Sequence, residues 1–80
     1  MKWLNQFEDE VEKILAGEKF EIALMQIPVM GSDTYESHHI INIWDRDGFL
    51  IKTYLITQDN WKNDLDTIRS VKKHILDKEI

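Results

Sequence analysis

Residues 33–48, "DTYESHHIINIWDRDG", bring two adjacent histidines, His38 and His39, close in sequence to the carboxylates of Asp33, Glu36, Asp45 and Asp47. Imidazole and carboxylate are the usual nitrogen and oxygen ligands of zinc and the usual general acids and bases. The flanking pattern reads as a strand, and neighbouring side chains of a strand point to opposite faces. His38 and His39 therefore diverge and make a poor chelate, so no metal ion is expected. His39 is expected at the edge of the core as a neutral, satisfied side chain. His38 shares its face with Glu36 and could make a pH-sensitive contact at an interface. Asp45 and Asp47 are accounted for by turn formation, where aspartate bonds nearby backbone amides and tolerates tight conformations.

The rest of the chain offers catalysis little. It has no glycine-rich phosphate loop, no HExxH motif, no nucleophile elbow and no cysteine to pair with a histidine. Ser32, Ser37 and Ser70 fall in a turn, a strand and a helix with no paired base in view, and Asp64 and Asp66 point to different helix faces. No enzyme activity, catalytic residue or cofactor is expected.

The elements that would carry these residues follow from periodicity. Trp3, Leu4, Phe7, Val11, Ile14 and Leu15 recur at helical spacing, which predicts a helix over 3–16 that Gly17 stops. Its other face is acidic, with Glu8, Asp9, Glu10 and Glu12. "KFEIALMQIPVM" then reads as a strand, placed at a sheet edge because Pro28 cannot donate to a ladder. "GSD" at 31–33 turns the chain into a second strand ending at Trp44. "DRDG" at 45–48 predicts a type I turn with Gly48 left-handed, and "FLIKTYLIT" gives a third strand. Thr57 or Asp59 could cap a last helix with the stripe Trp61, Leu65, Ile68, Val71 and Ile75. The expected fold is α+β: one αβββα domain over 1–80, in two layers with both helices on one sheet face.

Both turns fix a register. Met30 opposite Asp33 and Asp45 opposite Phe49 together place Phe20, Ile22, Leu24, Ile41, Ile43, Phe49, Ile51 and Leu55 on one side, the expected core. The other side collects Ala23, Met25, Ile27, Ile40, Trp44, Leu50, Tyr54 and Ile56, diluted by Glu21, His38, Asn42 and Lys52. One solvated face of an antiparallel sheet should alternate more cleanly than this, and a contiguous apolar surface often marks an interface. Met25, Ile40, Trp44, Leu50, Tyr54 and Ile56 are the expected interface residues. The competing arrangement has the helices on opposite sides, burying both faces within one chain.

Composition supports this direction. Eighty residues are too few for two cores, and with no cysteine to form disulfides, oligomerisation is the remaining way to reinforce a small core. A formal net charge of −5 argues against nucleic acid as the partner of the whole surface. "MKWLNQFEDEVEKIL" has neither the apolar centre of a signal peptide nor the length of a membrane span, so a cytoplasmic protein without membrane attachment is expected.

The order helix, three antiparallel strands, helix is similar to that of the double-stranded-RNA-binding domain, which covers about this length of chain. That family has a basic start to the last helix and a proline-containing turn with a histidine after the first strand. Here the last helix begins "DNWKNDLD" and the turn reads "PVMGSDTYES", so the resemblance extends to topology and leaves out the phosphate contacts. The first functional expectation is a small acidic, non-enzymatic protein-binding or regulatory module, homodimeric through its apolar sheet face or docked on another protein. Two alternatives stand beside it. One is an acidic inhibitor of a nucleic-acid-binding enzyme, of the kind mobile elements encode. The other is a nucleic-acid-binding module using Lys62, Arg69, Lys72, Lys73 and Lys78.

Overall fold

A computed structural model describes residues 1–77. The chain forms α1 (Lys2–Leu15), β1 (Phe20–Pro28), β2 (Tyr35–Trp44), β3 (Leu50–Ile56) and α2 (Trp61–Asp77). The strands make one antiparallel sheet in the order β1-β2-β3. Phe7, Val11 and Leu15 from α1 and Leu65, Ile68, Val71 and Ile75 from α2 pack with Ile41, Ile43 and Ile56 in one buried cluster. Both helices therefore lie on the same sheet face, and the architecture is the expected two-layer αβββα fold. The helices also touch where the rings of Phe7, near the middle of α1, and Trp61, at the start of α2, meet edge-on with centroids 6.3 Å apart.

The connections show why the elements stop where they do. Helix α1 ends one residue earlier than its pattern suggests, because Ala16 itself adopts the left-handed conformation, at φ 48°, and its N–H bonds the Glu12 carbonyl. Gly17 follows, also at positive φ. At the β2–β3 turn, buried Asp45 accepts hydrogen bonds from the N–H groups of Asp47 and Phe49 through Oδ1, at 3.0 and 2.9 Å. Gly48 takes φ 90° there, as the expected turn requires. Before α2, the Thr57 hydroxyl accepts from the Asn60 N–H at 3.2 Å, so Thr57 caps this turn.

The first hairpin keeps the register read from sequence: Phe20 faces Ile43, Ile22 faces Ile41 and Leu24 faces His39. The second departs from it. Trp44 opposes Leu50 as expected, but a bulge follows and Ile43 pairs with Lys52, Ile41 with Tyr54 and His39 with Ile56. One extra residue in β3 moves every later side chain to the opposite face. Tyr54 and Ile56, expected on the interface side, consequently belong to the helix side, where Ile56 is buried and Tyr54 packs against the core. Leu55, expected in the core, is exposed. Leu24 and Phe49 were also expected inside; they sit toward opposite ends of the sheet and are exposed.

Strand β3 ends opposite His39, while β1 and β2 continue as a two-stranded arm in which Met25–Pro28 pair with Tyr35–His38. The molecule is accordingly long, 49 × 26 × 17 Å. Its radius of gyration of 14.1 Å exceeds the roughly 12 Å of an average domain of this length. Met30, at the tip of the arm, and Leu24 and Tyr35 on its flanks are exposed.

Candidate functional site: the open sheet face

The sheet face turned away from the helices is built from alternate residues of the three strands. From the arm inward it runs through the pairs Ile27–Glu36 and Met25–His38 to the row Ala23–Ile40–Leu55. A polar row, Glu21–Asn42–Thr53, comes next, its Thr53 hydroxyl donating to the Asn42 side-chain oxygen at 2.7 Å. The Trp44–Leu50 pair closes the face, with the Lys19 ammonium 4.9 Å from the centroid of the Trp44 ring.

Exposure shows which of these side chains are free to meet a partner. Met25 is 40% exposed, Leu50 53% and Leu55 52%. Ile40 is buried although no helix covers it, because Ala23 and Leu55 flank it on the central strand. Of the residues expected at the interface, Met25, Ile40, Trp44 and Leu50 share this face, whereas the bulge takes Tyr54 and Ile56 away and delivers Leu55. A signal for that exchange is present in "FLIKTYLIT". Lys52 and Thr53 are two polar residues in succession between apolar runs, and no strict alternation fits both sides of them. Such a break in phase marks a bulge.

The two histidines part as strand geometry requires. His38 Nε2 lies 3.1 Å from Glu36 Oε2 on the open face. His39 is on the helix side, its ring edge-on to Trp3 with centroids 6.1 Å apart. Among the described residues no three His, Cys, Asp or Glu side chains gather closely enough to hold a metal ion.

Several basic residues of α2 are engaged within the chain. Arg69 bonds Asp66 at 2.6 Å, Lys72 reaches the Leu15 carbonyl at 2.7 Å, and the Lys62 ammonium lies over the Trp61 ring. Lys73 is exposed, and Lys78 lies outside the described residues. No described helix is long and apolar enough to cross a membrane. A shallow cleft of about 390 Å³ lies between β3 and α2, lined by Ile51, Lys52, Thr67, Ser70, Val71 and His74. Its lining includes the hydroxyls of Thr67 and Ser70 and the imidazole of His74, one helical turn from Ser70, but no carboxylate, and the Ser70 hydroxyl donates to the Asp66 carbonyl at 3.3 Å.

Comparison with protein-family models, curated proteins and solved structures finds no match to this chain.

Proposed function

We propose that this chain is a non-enzymatic protein-binding module that works through its open sheet face, and that a second copy of the chain is its first partner. The observation that carries the reading is the half-exposed apolar surface formed by Met25, Leu50 and Leu55 around Ile40 and Trp44. Burying such side chains is favourable by roughly 25 cal/mol per Å² removed from water. An antiparallel sheet whose outer face faced only solvent would present polar residues at these positions. The small single core adds a second reason, since association is a common way to reinforce a chain of this size that has no disulfides. Two such faces can stack as sheets do in a sandwich, about 10 Å apart.

Sedimentation of the wild type and of Leu55→Lys at matched concentrations tests this. Leu55 is exposed in the single chain, so the lysine does not disturb folding, but a charge buried without a partner at the centre of the contact is costly. The wild type is expected to dimerise and the variant to remain a folded monomer. A wild type that stays monomeric at its highest soluble concentration removes self-association, and an unchanged dimer of Leu55→Lys moves the contact to another surface.

A further inference from the structure

Two copies that meet by their open faces are related by a two-fold axis lying in the plane between them, and the axis has two limiting settings. If it runs along the strands, the two arms lie at the same end, β2 stacks on β2, and each residue of β2 faces itself. Glu36 then meets Glu36 and His38 meets His38. If the axis runs across the strands at the Ala23–Ile40–Leu55 row, the strands of the two sheets run in opposite directions. The arm of each copy then lies over Lys19 and Trp44 of the other, beside Leu50.

Both settings cover Ile40 and Leu55, while Leu50 meets the Lys19 side of the second sheet in the first and lies beside the arm in the second, so apolar burial does not separate them. Charge does. In the second setting Glu36 comes over Trp44 of the second copy, beside the Lys19 ammonium that rests on that ring. His38 comes over Asn42, next to Glu21 of the second copy. Opposite charges meet at the first place and an imidazole meets a carboxylate at the second, where the first setting opposes Glu36 to Glu36, and like charges facing each other across an interface are costly. The acidic residues Glu8, Asp9, Glu10 and Glu12 are on α1, in the helix layer beyond the sheet.

Resting on the proposed self-association, we infer that the chain dimerises with its strands antiparallel across the interface, each arm covering Trp44 of the partner copy and Glu36 paired with Lys19 of that copy. The arm is thereby an embracing element, and its projection beyond β3 is what allows it to reach the far end of the second sheet.

Charge exchange tests the geometry. Lys19 and Glu36 are both exposed in the single chain, so Lys19→Glu and Glu36→Lys should fold normally, which circular dichroism verifies. Each single variant is expected to raise the dimer dissociation constant about tenfold, because symmetry repeats the repulsion at two places. The double variant, Lys19→Glu with Glu36→Lys, restores the opposite charges and should return to within about threefold of the wild type. Two weakened single variants and a rescued double support the antiparallel setting. Single variants without effect, or a double variant as weak as the singles, overturn it while leaving self-association in place. A monomeric wild type defeats the underlying reading and this inference together.

Discussion

The ammonium of Lys72, on the fourth turn of α2, donates a hydrogen bond of 2.7 Å to the carbonyl of Leu15 at the end of α1. That carbonyl also accepts from the Glu18 N–H at 3.1 Å. A cation at the carboxyl end of a helix opposes the negative end of the dipole, and here it adds a second, charged donor to a terminal carbonyl. Lys72 thus ties the two helices together at the point where α1 turns into the sheet. Replacing it with methionine keeps the length of the side chain and removes the donor, so Lys72→Met should lower the unfolding free energy by about 1–2 kcal/mol in a denaturant titration.

The same corner contains Glu18, whose side chain is 7% exposed, bonded by the Arg46 Nε at 2.8 Å and 3.6 Å from the Lys72 ammonium. The Arg46 hydrogen bond, with the charges of Arg46 and Lys72, outweighs desolvation and holds the carboxyl below the ordinary glutamate range. A carboxylate whose pKa is lower folded than unfolded stabilises the fold above its unfolded value, and the benefit is lost as pH falls through the folded value. Glu18→Gln should therefore unfold more readily than the wild type above about pH 5. The two unfolding curves should converge at lower pH; a gap independent of pH would remove the ionic explanation.

Ala16 occupies a left-handed position at φ 48°, which an L-residue with a β-carbon adopts at a cost and glycine adopts freely. Ala16→Gly should raise stability by about 1 kcal/mol, although the same substitution inside a helix would lower it by a similar amount. The midpoint of a urea transition measures the sign.

The bulge in β3 makes opposite forecasts for two adjacent residues. Ile56 is buried with both helices' apolar stripes, so Ile56→Ala should cost about 2–5 kcal/mol through lost transfer and cavity formation. Leu55 is half exposed, and Leu55→Ala should cost under about 1 kcal/mol when measured on the monomer. A larger loss at Leu55 than at Ile56 would show that the register does not shift between Leu50 and Lys52.

Tyr54 Oη and Asp64 Oδ2 are buried without a hydrogen-bond partner among the described residues. Burial pushes the Asp64 carboxyl upward, and the tyrosine hydroxyl is raised by burial and then by the Asp64 charge. Because the folded state favours protonated Asp64, its contribution to stability is fully present below the unfolded value of about 3.9 and is lost as pH rises through the folded one. Asp64→Asn removes that ionisation cost. It should melt higher than the wild type at neutral pH, with the advantage disappearing near pH 3, and a variant less stable at pH 7 would refute the account.

By itself the sequence determined the five elements, their order and most of the core, because those features are local or periodic. The stripe Trp61, Leu65, Ile68, Val71 and Ile75 can face one way only on a helix, and the β1–β2 register follows from a turn whose ends are separated by a few residues. Divergence of His38 and His39 is likewise a property of any strand. Three matters were left to tertiary structure. The bulge between Leu50 and Lys52 depends on pairing with β2, so the exchange of Leu55 for Tyr54 and Ile56 between faces is a consequence of contact. Glu18, Arg46 and Lys72 come from a loop, a turn and a helix far apart in the chain, and no spacing rule relates them. The choice between both helices on one side, as expected, and one on each side was also made in the tertiary structure, because Ile41, Ile43 and Ile56 together can receive two apolar stripes at once.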